Sequence, residues 1–133
     1  MHTHIKIFKC NLLKCIEDCI EILNEMNTAE SRGLVNQLYG IQPVLGALTE
    51  SGYIDIMNQI YTHTFPLRTQ IKNRDDSLFD SAVFQSLDVK TFLSIKCIVK
   101  NSKKSDVECM YEYIDSFIAS CDRYRLENKE KLS

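Results

Sequence analysis

The sequence predicts an all-α fold, a compact single-domain bundle of five to six helices. Three observations lead there: apolar residues recur every three to four positions along most of the chain, strand-like alternation is scarce, and only two prolines and four glycines interrupt the pattern. A chain of 133 residues can close one core and leaves little room for a second, so residues 1–133 are expected to form one helical domain.

The elements follow in order. Ile5, Phe8, Leu12, Cys15, Ile16, Cys19, Ile20, Leu23 and Met26 make one stripe of a long amphipathic helix, with Glu17, Asp18, Glu21 and Glu25 on the other face. Asn27, with Glu30 or Ser31, is the expected start of a second helix, whose stripe is Leu34, Leu38, Ile41, Leu45 and Leu48. Pro43 removes a backbone donor and crowds the preceding turn, so a kink or a break near residues 40–43 is expected. Residues 49–52 read as a turn, with Gly52 suited to the left-handed conformation after a helix end.

A third helix carries Tyr53, Ile56, Met57, Ile60 and Tyr61 and meets Phe65-Pro66, where the proline disfavours helix at the residue before it. Residues 67–72 resume it briefly. Asn73-Arg74-Asp75-Asp76-Ser77 is a polar connection ahead of Leu78, Phe79, Val83 and Phe84, which require burial. Asp88 is expected to cap a fourth helix that begins with Val89 and is apolar around much of its circumference, hence central. Lys100, Lys103 and Lys104 follow, as suits the negative end of a helix dipole. Ser105 and Glu108 are spaced as a capping box for a fifth helix, with Met110, Tyr111, Ile114, Phe117, Cys121 and Tyr124 on its apolar face. From residue 125 to 133 the apolar spacing stops, and a frayed tail is expected.

A hydrophobic fraction of 44%, a charged fraction of 26% and a formal charge of −2 describe an ordinary globular chain with no global attraction to nucleic acid or anionic membrane. No apolar stretch reaches the roughly 20 residues of a membrane span. Met1-His2-Thr3-His4 lacks the basic start and apolar centre of a signal peptide, so an intracellular protein with no membrane partner is expected. On that reading the six cysteines are free thiols, four of them (Cys15, Cys19, Cys97 and Cys121) packed on apolar helix faces.

Candidate chemistry is thin. His2 and His4 could ligate a metal, but a chain end is a poor place for a pre-organised site. Cys15 and Cys19 would make a zinc half-site, yet no Cys-x-x-Cys or His-x-x-x-His pair completes it, and core packing is the reading adopted. Asp75 and Asp76 beside Arg74 point in different directions and have no phosphate-binding loop, so a helix cap with an ion-paired arginine is expected in place of acid/base chemistry. His63 stands alone without a nucleophile at a family-specific spacing. No catalytic residue, metal or cofactor is assigned.

One stretch is similar to a known pattern. An apolar helix leads to Pro66, then Gln70-Ile71, then Asn73-Arg74-Asp75-Asp76, then the large hydrophobes Leu78 and Phe79. With an aromatic-rich last helix bearing Tyr111, Tyr113, Ile114 and Phe117, this resembles small uncharacterised helical proteins of nucleocytoplasmic large DNA viruses, over about the second half of the chain. The chain departs from that pattern at Leu78, where an aromatic is usual, and in having no Trp in the last helix. The family has no established activity, so the resemblance implies a setting, the cytoplasm of an infected host cell or the virion, and no catalytic residues.

The expected function is therefore a non-enzymatic interaction or structural protein serving assembly, the virion or host interference. Its expected partner is another protein or a second copy, with Tyr53, Tyr61, Tyr111, Tyr113 and Tyr124 as candidate anchors in an exposed patch. The alternative is a nucleic-acid-associated factor whose Lys100, Lys103, Lys104, Arg123 and Arg125 converge in one basic edge that contacts phosphates.

Overall fold

The computed structural model describes residues 2–80 and 90–128. Among them, helices α1 (Thr3–Met26), α2 (Ala29–Gly46), α3 (Glu50–Thr64), α4 (Arg68–Lys72), α5 (Lys90–Asn101) and α6 (Lys104–Glu127) form an all-α bundle. Two 3-10 segments, Phe65–Leu67 and Asp76–Asp80, flank α4. α1 packs most extensively on α6 and α2, α3 leans on α6, and α5 fills the space between α1, α2 and α6. No helix among the described residues is long and apolar enough to cross a membrane.

The α1 stripe is the core's spine: Ile5, Phe8, Leu12, Cys15, Ile16, Cys19, Ile20 and Leu23 are all buried. They meet Met110, Tyr111, Ile114, Phe117 and Cys121 of α6 in one hydrophobic cluster, with the Phe8 and Phe117 rings edge-to-face at 5.5 Å. All six cysteines are free, and the four expected on apolar faces are buried.

Several local expectations change. Asn27 does not open α2; it closes α1 in the left-handed region at φ 51°, and Thr28 is the cap instead. Thr28 and Ser31 form a reciprocal capping box at 3.0 and 2.8 Å. Pro43 does not break α2, which runs on to Gly46. The proline sits exposed in the last turn of the helix, where its missing donor removes one bond to the preceding turn without ending the helix. Gly52 is not left-handed: Thr49 caps α3 and accepts the Gly52 amide at 3.3 Å, so Gly52 lies inside the first turn.

The Ser105 and Glu108 box also fails to form. α6 starts two residues earlier, after Lys103, without a side-chain cap, and Glu108 is engaged elsewhere. The tail boundary moves too. Arg125, Leu126 and Glu127 are helical, because Glu127 pairs with His2 and His4 at 3.0 and 3.1 Å and ties the end of α6 to the start of α1. Those histidines are therefore held in place: the His2 ring also accepts the His4 amide as the α1 cap and lies edge-on to Tyr124. The expectations for Val83, Phe84, Asp88 and Val89, and for residues 129–133, lie outside the described residues.

Candidate functional site

Chain reversal at Asn73-Arg74-Asp75-Asp76 decides how the middle of the chain joins α6. Arg74 adopts φ 53°, a left-handed conformation, which turns its guanidinium back to the Ile71 carbonyl at 3.2 Å. The same group bridges Glu108 and Asp115 of α6, each at 2.9 Å, and lies 5.0 Å over the Tyr111 ring. Hydrogen bonding to Asp115 first, then to Glu108, holds this guanidinium well above its ordinary pKa. Asp75 accepts from the Ser77 amide at 3.1 Å and the Ser77 hydroxyl at 2.7 Å, which caps the 3-10 segment and holds its carboxyl below the usual range. Asp76 accepts the hydroxyl of buried Tyr111. Ile71, Leu78 and Phe79 consequently enter the core together. Gln70 carries its carbonyl to the Asp75 amide, while Pro66 opens the 3-10 segment before α4. The motif is a structural clamp.

The five tyrosines do not form an exposed patch, which corrects the expectation for them. Tyr53, Tyr111 and Tyr124 are buried, at 3% exposure or less. Each ring fills the core while its hydroxyl can be satisfied at the edge: Tyr53 donates to the Leu45 carbonyl and Tyr111 to Asp76. Half-buried Tyr113 donates to Asp18 of α1, and half-buried Tyr61 has the guanidiniums of Arg68 and Arg125 at 5.6 and 3.8 Å from its ring centroid. Burial, then the hydrogen bond to the carboxylate, raises the pKa of Tyr111 and Tyr113.

The basic edge does not form either. Lys103 and Lys104 stand at the start of α6 and Arg123 and Arg125 near its end, about 28 Å away at 1.5 Å per residue. Lys100 pairs with Asp80 at 3.0 Å. The five cations are thus two separated groups, one of them partly neutralised.

Of the residues weighed for catalysis, His63 is half-buried and its Nδ1 contacts the Gln59 carbonyl at 2.7 Å. Cys15 and Cys19 lie in the core. Among the described residues no three His, Cys, Asp or Glu side chains are grouped to hold a metal. An open groove of about 390 Å³ runs along Arg68, Ile71, Lys72, Arg74, Asp115 and Ile118. Its arginines are already engaged, Arg68 in a two-pronged pair with Asp122 at 2.6 and 2.8 Å.

The surface that stands apart is the outer face of α2, which holds none of the five candidate tyrosines and none of the candidate basic residues. Residues 33–49 contain no charged side chain. On a helical projection Gly33, Gln37, Gly40, Val44 and Ala47 share one face, flanked by Asn36, Tyr39 and Pro43, and all eight are exposed. Tyr39 is 55% and Val44 60% exposed. A Cβ added at Gly33, Gly40 or Gly46 would meet nothing within 4 Å, so no contact inside the domain calls for glycine there. Each helical glycine nevertheless costs about 1 kcal/mol relative to alanine. The uncharged run was visible in the sequence, but only the structure shows that half of it points outward.

No protein-family model, curated protein or solved structure matches the chain.

Proposed function

We propose that this protein is a non-enzymatic helical interaction module that docks a helix of a protein partner on the outer face of α2. The carrying observation is that face itself: exposed, free of charge over residues 33–49, and furnished with glycines that destabilise the helix without any contact inside the domain. Glycines at helix positions leave a shallow surface that a second backbone can approach, and Tyr39 and Val44 supply apolar area beside it. Arg74, Asp75 and Asp76, in contrast, are spent on internal contacts. The likeness of residues 60–84 and of the last helix to proteins of nucleocytoplasmic large DNA viruses supports a place in assembly, in the virion or in host interference.

The test is site-specific photocrosslinking in cells that express the chain, with the probe at Gly40 or Val44 and, as a control, at Glu21 on the polar face of α1. Adducts specific to the α2 positions are expected, and Val44→Glu should remove them without lowering the melting temperature. Equal labelling from Glu21, or adducts that persist in Val44→Glu, would overturn the reading.

A further inference from the structure

Three sulfurs meet in the core where α1 crosses α6. Cys15 Sγ lies 4.0 Å from Cys19 Sγ, and the Cys19 thiol donates to Met110 Sδ at 3.7 Å. All three side chains are fully buried. A metal–sulfur bond of about 2.3 Å places neighbouring ligands about 4.0 Å apart in a trigonal site and about 3.8 Å apart in a tetrahedral one. Both observed separations fall close to those edges before any side chain moves. From the geometry we infer that Cys15, Cys19 and Met110 form a binding site for a soft monovalent cation, Cu(I), which would link α1 to α6.

The donor set selects the metal. Two thiolates and a thioether suit Cu(I), whereas zinc sites draw on thiolate, imidazole or carboxylate and close with four donors. Cys109, half-buried and next to Met110 in sequence, lines an open groove of about 300 Å³ with Asn11, Lys14, Glu112, Tyr113 and Ser116. Binding replaces protons: Cu(I) takes the place of the two thiol hydrogens, which leave to solvent, and the site passes from neutral to a net charge of −1. Because two protons leave for each Cu(I) bound, uptake strengthens as pH rises, by up to about a hundredfold per unit. The site is independent of the α2 face, and either can fail without the other.

Thiols packed in a core also touch at such distances, and a titration separates the two cases. The reduced full chain is titrated anaerobically with Cu(I) against a chromophoric Cu(I) chelator, with Ag(I) as a redox-inert stand-in and X-ray absorption to identify the donors. One Cu(I) per chain with sulfur-only coordination is expected. It should be lost in Cys19→Ser, weakened at least tenfold in Met110→Leu and unchanged in Cys10→Ser. Met110→Leu conserves volume, so it keeps the question open to test even if a cysteine variant fails to fold. A rise in melting temperature with one equivalent of metal is also expected, since ligation by the native state stabilises it. No uptake, an unchanged or lowered melting temperature, or equal affinity in Met110→Leu would each overturn the inference.

Discussion

Breaking the bond between Tyr111 and Asp76 tests whether the clamp at residues 73–76 stabilises the fold. Tyr111 is fully buried and Asp76 is exposed, which makes the two deletions unequal. Asp76→Ala strands a buried hydroxyl, a loss of about 1 to 3 kcal/mol, and access of water at the exposed end puts the expected cost near the lower half, about 1.5 kcal/mol. Tyr111→Phe removes the donor and leaves a carboxylate that water can rehydrate, at about 1 kcal/mol. If one hydrogen bond underlies both costs, the double variant should lose little more than Asp76→Ala alone, a coupling of about 1 kcal/mol. With an unfolding entropy of about 2.1 cal/mol/K per residue, a chain of 133 residues loses about 3.6 °C per kcal/mol. Expected melting-temperature losses are therefore about 5 °C, about 4 °C and, for the pair, about 5 to 6 °C, read by circular dichroism. A loss of about 9 °C in the double variant, the additive value, would refute the reasoning.

Asn27 closes α1 at φ 51°, so Asn27→Gly should stabilise by about 0.5 kcal/mol and Asn27→Ala destabilise by about 1 kcal/mol in urea unfolding; equal stabilities would show that the left-handed cap does not matter. At alkaline pH the folded chain should weaken. Burial raises the pKa of Tyr53, Tyr111, Tyr113 and Tyr124, so above the unperturbed value of about 10 the folded state keeps protons that the unfolded chain releases, and stability falls as pH rises. A denaturation midpoint that stays constant between about pH 9 and pH 11 would contradict this. With a thiol reagent, exposed Cys10 should react first, while Cys15 and Cys121, the latter pushed up to about 12 by burial, should react only on unfolding. Rapid labelling of Cys121 in the folded chain would count against the packed interior.

The helical class and most of the core were legible because the α1 stripe and the α6 face repeat at three and four residues, and that period alone marks Ile5, Phe8 and Leu23, and Met110 and Phe117, for burial. The tyrosines were misread because residue type does not say whether a ring with a polar tip ends at a surface or at a carboxylate. Asp76 and Asp18, far away in sequence, decide that for Tyr111 and Tyr113. Helix ends were off by one to a few residues for a similar reason: Thr28 and Ser31 outcompete Asn27, and Glu108 serves Arg74 where a local cap was expected. The spread of the basic residues could have been anticipated, since Lys104 and Arg123 in one helix must stand far apart. The sulfur cluster could not, because Met110 reaches Cys19 only through tertiary packing.

The extensive contact between α1 and α6 has a consequence for how the chain acquires its structure. The most extended helix interface joins segments about a hundred residues apart, with the His2 and His4 contacts to Glu127 at one end of it. During synthesis α1 emerges early and must hold its apolar stripe exposed, or covered provisionally by α2, until α6 has left the ribosome. Loop closure over that distance has to be completed before the interface can form, so the protein folds late and as a unit, more slowly than a bundle whose helices pair mainly with their neighbours. Within that interval the α1 stripe is the surface most open to a chaperone or to aggregation.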